Sequence, residues 1–189
     1  GTPLNIEGKE HFQHCSHFVL VANHSSYLDS LFLVAVLPCN LSYVAKRELK
    51  TQFFTRVFLE RIQAEFVERF DKQRGVADAR QVSRVAQEGR SLVFFPEGTF
   101  YRMPGLLPFH MGAFVAAAEA DVPVIPVAIR GTRSLLRAES WFPRRSAVTL
   151  KVCKPIAPDG KDWAAAVQLR DKARAEILQH CGEPDLGLF

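Results

Sequence analysis

His24 and Asp29, in the run Asn23-His24-Ser25-Ser26-Tyr27-Leu28-Asp29, are the residues best suited to move a proton. On one continuous helix their spacing is about 140° of rotation, so they would face different directions. They meet only if His24 precedes a helix and Asp29 lies in its first turn, with Ser25 or Ser26 as N-cap. The carboxylate would then hold the imidazole in one tautomer and leave the other ring nitrogen as a base. Such a base contributes roughly 10²–10⁴-fold in rate. The plainer reading is a capping box of Ser26 and Asp29 with no catalytic role. Three more groups carry chemistry: Glu68-Arg69, Pro96-Glu97-Gly98-Thr99 and Arg130-Gly131-Thr132-Arg133. Arg69 offers a bidentate fork to phosphate. Gly98 admits close approach of backbone to a ligand.

Each group follows an apolar run. Phe18 to Ala22 and Ser91 to Phe95 read as strands buried on both faces. Glu65-Phe66-Val67 is a short strand, Leu41 to Ala45 another, and Ala147 to Val152 a further one. Val122 to Ile129 is a strand despite two prolines, so it belongs at an edge or is irregular. Between the strands lie helical patterns. Leu31 to Leu37 is a buried helix stopped by Pro38. Phe53 to Arg61, Gly75 to Glu88 and the small-residue stretch His110 to Ala120 are helices, and Asp162 to Gln179 is an amphipathic terminal one anchored by Trp163. Pro96 to Pro108 is a loop, and Arg130 to Arg145 a surface excursion. Alternating strands and helices give an α/β fold with a mostly parallel central sheet flanked by helices. If the strands are parallel, their carboxyl ends share one edge, and one crevice collects a His, acids, several Args and a glycine turn. The 189 residues fit a single domain. The opening Gly-Thr-Pro suits a domain excised from a longer or multidomain protein.

Read together, the blocks resemble the glycerolipid acyltransferases, the lysophosphatidic acid acyltransferase family. Asn23 to Asp29 is similar to that family's His-x4-Asp block. Ala64 to Arg69 resembles the second block, Phe95 to Thr99 the third and Val122 to Val127 the fourth, while Lys46 to Leu49 and Phe109 to Ala117 resemble connecting segments. One such block is weak, and four in order, over roughly residues 16 to 157, are strong. The resemblance implies an O-acyltransferase. His24, oriented by Asp29, takes the proton of an acceptor hydroxyl, which attacks the thioester of acyl-CoA or acyl carrier protein. Backbone amides would stabilise the oxyanion. It implies acceptor-binding roles for Glu97, Gly98 and Thr99, and a phosphate contact for Arg69. The acceptor would be a lysophospholipid such as 1-acylglycerol-3-phosphate. Phe100 stands where the family usually has Arg. Arg102 and Lys46 are the cations that would substitute, and the acceptor shifts toward another lysophospholipid or amphiphilic alcohol. Gln63 also replaces a common Gly. The alternatives are a thioester or ester hydrolase, which would want a Gly-x-Ser-x-Gly elbow that the chain lacks, and a non-catalytic lipid-binding module, which would not require His24, Asp29, Glu97 and Gly98 together.

Composition agrees with a membrane-surface enzyme. Lys and Arg exceed Asp and Glu, 24 to 20, a mild excess unlike a nucleic-acid binder's footprint. It suits an anionic substrate or membrane surface. The longest apolar run, Leu31 to Leu37, is far short of the roughly 20 residues that span a bilayer. The resemblance implies a location on the cytoplasmic side of a membrane, peripheral or anchored by segments outside this chain. The four cysteines lack CxxC spacing and read as reduced thiols. His11, His14 and His17 beside Cys15 read as exposed histidines, so neither metal nor cofactor is expected beyond the acyl donor. Arg130, Arg133, Arg137, Arg144 and Arg145, with Trp141 and Phe142, are a solvated surface or a contact to anionic headgroups. Phe53, Phe54 and Phe58 read as core or acyl-tunnel wall.

Overall fold

The computed structural model describes residues 2–37, 41–46, 66–69, 88–136 and 142–187. The strands are β1 (Leu4–Glu7), β2 (Val19–Ala22), β3 (Leu41–Lys46), β4 (Phe66–Arg69), β5 (Ser91–Phe94), β6 (Val124–Arg130) and β7 (Val148–Val152). The helices are α1 (Asp29–Val36), α2 (Gly112–Ala120), the short α3 (Thr132–Leu135) and α4 (Trp163–Cys181), with a 3-10 turn over Lys9–His14. The strands form one sheet in the order β1-β7-β6-β2-β5-β3-β4. From β6 to β4 every pairing is parallel; β7 runs antiparallel to β6, and β1 runs parallel to β7. The α/β fold with a mostly parallel sheet is thus as expected.

β2 and β5 are continuous apolar runs because both faces of the sheet are covered. Val19, Val21, Leu92 and Phe94 face α2 and α4; Leu20, Ala22 and Val93 face α1. Ala113, Ala116, Ala117 and Ala118 let α2 lie close on the sheet. α1 buries only one side, Leu33 and Val36, and leaves Leu31 exposed. Leu37 is extended, as the residue before a proline must be.

The sequence misplaces three features. β6 is interior, between β7 and β2, not at an edge. Its irregularity is real and is caused by Pro126. Cys153 N–H donates to Pro126 O at 2.9 Å, but Pro126 has no N–H to return. The ladder with β7 stops at Val127↔Val152 and resumes only at Val124↔Ile156, so the segment after β7 carries one extra residue, a bulge opposite the proline. Trp163 does not anchor the terminal helix, being 63% exposed. That helix is capped by Asp162, which accepts from Ala165 N at 2.8 Å, and is anchored by Ala166, Leu169, Ala173 and Ile177. β1 carries no apolar run and is held by its pairing with β7. The helical patterns at 53–61 and 75–87, with Phe53, Phe54, Phe58 and Gln63, lie outside the described residues.

Candidate active site

Four chain segments meet where β2, β5 and β6 end. The first is the turn from β2 into α1. Asn23 is buried and clamps this turn to β6: its amide donates to Ile129 O at 2.9 Å and its Oδ1 accepts from Ile129 N at 2.7 Å. Ser25 Oγ lies 3.0 Å from Thr132 Oγ1, and Ser26 Oγ donates to Leu136 O at 3.0 Å. The turn is therefore fixed before any substrate arrives.

His24 and Asp29 meet, as the spacing requires. The His24 Nδ1 lies 2.9 Å from Asp29 Oδ2. Neither serine caps α1; the cap position is Leu28, with no side-chain bond. Instead Asp29 Oδ2 accepts the backbone N–H of Ser25 at 2.6 Å and of Ser26 at 2.8 Å, besides facing the imidazole. Half of the capping box is thus present, and the same oxygen serves both it and the histidine. The carboxylate is fully buried while the imidazole keeps 18% exposure. With Nδ1–H given to Asp29, Nε2 is the ring nitrogen available as a base.

Glu97 comes from the loop after β5 and is turned inward. Its Oε1 accepts from His24 N at 2.7 Å and its Oε2 from Leu107 N at 2.9 Å. Burial pushes its carboxyl up to about 7, with the charges of Asp29 and Glu183 adding to the rise and the two backbone donors opposing it. Gly98 follows with φ 79°, a left-handed turn that favours glycine, and donates to Phe95 O at 3.0 Å. Thr99 and Arg102 are exposed.

Phe100 forms part of an aromatic wall. Its ring meets the His24 imidazole edge-on at 4.5 Å and Tyr27 at 4.9 Å, while Phe95 stacks on His24 at 4.3 Å. The catalytic candidate is thus flanked by two phenylalanines.

The loop from Glu97 to Leu107 is tied down by the end of the chain. Glu183 accepts from Gly105 N at 2.6 Å and from Arg133 Nε at 2.8 Å. Arg133 also donates to the carbonyls of Tyr101 and Arg102. Leu106 and Asp185 form a parallel bridge, and Arg174 pairs with Asp185 and donates to Leu106 O at 3.1 Å. Arg133 is therefore no solvated cation, contrary to the sequence reading. Arg144, Arg145 and Phe142 are exposed; Arg137 and Trp141 lie outside the described residues.

Lys46 and Arg69 end β3 and β4 and are direct cross-strand partners. They share the sheet edge that carries His24. Arg69 is three strands from β2, about 14 Å at about 4.8 Å per strand. Sequence reasoning gave no individual role to Asn23, Thr132, Phe95, Tyr27 or Glu183, because each acts through a contact distant in sequence. His11 Nδ1 lies 3.1 Å from Val152 O, and Cys15, Cys153 and Cys181 are free thiols.

A model of the Acyltransferase family matches residues 3–130. The chain belongs to that family. Within it, the chain is 31% identical over 169 residues to the 1-acyl-sn-glycerol-3-phosphate acyltransferase of Limnanthes douglasii, covering 86% of this chain and 57% of that one. It is 29% identical over 181 residues to 1-acyl-sn-glycerol-3-phosphate acyltransferase alpha of Mus musculus, covering 94% and 63%. The chain thus spans less than two thirds of these relatives. Its fold is similar to the crystal structure of the LPA acyltransferase PlsC from Thermotoga maritima, with TM-score 0.74 and 24% identity over 94% of this chain and 72% of that one. The acyltransferase fold places the His24–Asp29 pair at the carboxyl ends of its parallel strands.

Proposed function

We propose that this chain moves a fatty acyl group from an acyl thioester to the hydroxyl of a lysophospholipid, 1-acylglycerol-3-phosphate being the reference acceptor. The observation that carries it is the His24–Asp29 contact of 2.9 Å, in a turn fixed from three sides. His24 Nε2 takes the hydroxyl proton as the alkoxide oxygen bonds to the thioester carbon. The tetrahedral intermediate collapses, the C–S bond breaks, and the proton leaves with the thiol. Asp29 stabilises the imidazolium formed between these steps. No covalent acyl-enzyme is required: Ser25 and Ser26 spend their hydroxyls on Thr132 and Leu136.

Lys46 and Arg69 are proposed to hold the acceptor's phosphate, since two cations in register make a natural anion site. Gly98, Thr99 and Arg102 edge the acceptor's path in the loop beneath Phe100. Glu97, given the acceptor by resemblance, acts here as a positioning residue, because both its oxygens hold backbone amides. We place the chain peripherally at the cytoplasmic face of a membrane, where such an acceptor resides. Exposed Tyr27, Tyr101 and Met103 rim the site, and the described thiols are free. Among the described residues no helix is long and apolar enough to cross a membrane.

The test is transfer by purified protein with acyl-CoA and acyl carrier protein as separate donors, over a panel of lysolipids. Lysolipid-dependent diacyl product is expected from one of the donors. Release of fatty acid independent of any acceptor would make the chain a hydrolase. Lipid binding with neither product would make it a binding module.

A further inference from the structure

Away from the crevice, one cluster of side chains has the chemistry of a metal site. Cys153 follows the end of β7, and Glu176 and His180 stand one turn apart on α4. That spacing puts both on one flank of the helix, beside the buried Ala173 and Ile177. The Cys153 Sγ, a Glu176 carboxylate oxygen and a His180 ring nitrogen all lie within 4.8 Å of one another. Cys153 is buried, Glu176 half-buried and His180 exposed, so the cluster opens to solvent on one side. β7 runs opposite to β2 and β6, so Cys153, at its end, lies off the sheet edge that carries His24.

We propose that Cys153, Glu176 and His180 bind a zinc-class divalent cation that ties α4 to the end of β7. Thiolate, carboxylate and imidazole form a borderline-soft donor set that suits Zn²⁺ or Co²⁺; Mg²⁺ and Ca²⁺ prefer oxygen alone. Bonds of roughly 2.0–2.3 Å put tetrahedral ligands about 3.5 Å apart, so side-chain rotation suffices to close the present spacing. Three protein ligands leave the fourth position for water on the exposed side, and binding releases the thiol proton to solvent. Lys151 is the neighbouring charge that opposes a cation, and Glu7 holds its ammonium at 3.0 Å. The sequence reading expected no metal because the cluster it weighed was His11, His14 and His17 beside Cys15. Cys153 and the Glu176–His180 pair come from separate elements, the end of β7 and α4, and no local motif joins them.

Reduced, untagged protein titrated with Co²⁺ under anaerobic conditions provides the test. A near-ultraviolet thiolate-to-Co²⁺ charge-transfer band is expected to saturate at one Co²⁺ per chain and to disappear on adding Zn²⁺. Cys153→Ser should remove the band, while Cys15→Ser and Cys181→Ser keep it. His180→Ala changes only an exposed side chain and should weaken Co²⁺ binding by more than the roughly 10–100-fold that loss of an outer-shell partner costs. Absence of the band, or a band that survives Cys153→Ser, overturns the proposal. Equal Co²⁺ affinity for wild type and His180→Ala overturns it as well, even where Cys153→Ser fails to fold.

Discussion

His24 and Asp29 differ in what else they hold, and their variants should differ accordingly. His24→Ala removes a ring that keeps 18% exposure and should lower transfer by roughly 10²–10⁴-fold while leaving the fold intact. Asp29→Asn can keep an oxygen on the two backbone amides and turn its NH₂ to the side of Oδ1, which has no hydrogen-bond partner, but it removes the charge that stabilises the imidazolium. It should be as inactive with its fold kept, whereas Asp29→Ala, which leaves the two amides without an acceptor, should be less stable by about 1–3 kcal/mol. Near wild-type turnover in His24→Ala would refute the mechanism. Glu97 supplies a pH signature. Its carboxyl lies at about 7 in the folded chain, against about 4.3 unfolded. The folded state therefore favours the protonated form. That stabilisation is complete below about pH 4 and is lost as pH rises through about 7, a change of order 3 kcal/mol. Thermal melts should show wild-type stability falling over that window relative to Glu97→Gln; parallel profiles would show that Glu97 does not titrate there. At Phe100 the sequence departure acquires a physical content. An arginine would bring a cation to the site, but the ring now flanks the base. Phe100→Arg should lower the KM for lysophosphatidic acid relative to an uncharged acceptor. Phe100→Leu should lower kcat alike for both, because it loses only a ring contact typically worth about 0.5–1.5 kcal/mol. No change in relative acceptor preference with Phe100→Arg would remove Phe100 from the acceptor's path.

At the scale of elements, the loop carrying Gly98 and Phe100 is controlled from the far end of the chain. Glu183 holds Gly105 N and Arg133, Arg133 holds the carbonyls of Tyr101 and Arg102, and Glu97 joins Leu107 to His24. Glu183→Ala should free this loop while leaving the His24–Asp29 contact in place. Charge-assisted contacts of this kind are worth roughly 1.5–3 kcal/mol, so a loss of up to roughly 150-fold in kcat/KM is expected. Because Glu183 and Arg133 act as one unit, Glu183→Ala/Arg133→Ala should cost little more than either single change. Additive losses would show that the two residues act separately. None of this strap was legible in the sequence. Phe18 to Ala22 and Ser91 to Phe95 were readable as strands because burial on both faces leaves a continuous apolar run. The strap is made of single polar contacts between segments far apart in the chain, and no local pattern records them. β1 was missed for a related reason: most of its side chains are solvated, and its place is set by backbone pairing with β7. The Asp29 turn was half legible. Spacing required that His24 and Asp29 meet, but it could not show that one carboxylate oxygen would also satisfy two backbone donors.

For the molecule as a whole, the arrangement of exposed apolar groups about the sheet decides how a membrane acceptor would reach His24. Tyr27, at the start of α1, is 64% exposed, and Met103, in the loop after β5, is 77% exposed. Phe142 is 83% exposed, and its segment is tied to α3 by Arg144 N donating to Leu135 O at 2.7 Å. α1, that loop and α3 all follow the carboxyl ends of the parallel strands, so these side chains lie on the same side of the sheet as His24. Arg144 and Arg145 add positive charge beside them. Trp163 is just as exposed but starts α4, whose other end, at Gly182, lies against Arg130 at the carboxyl end of β6. It therefore lies away from the crevice edge and serves as an internal control. Apolar rings at the interface bind through buried area, and the arginines through attraction to anionic headgroups of about 1 kcal/mol each. Sedimentation with vesicles of phosphatidylcholine and phosphatidylglycerol should show binding that weakens with added salt. Met103→Ser with Phe142→Ser should weaken it at every salt concentration. Arg144→Glu with Arg145→Glu should reduce it by roughly 30-fold or more at low salt and erase much of the salt dependence. Trp163→Ala should leave it unchanged. If Trp163→Ala weakened binding as much as the changes at the rim, the membrane would meet another face, and the acceptor would have to leave the bilayer before reaching His24.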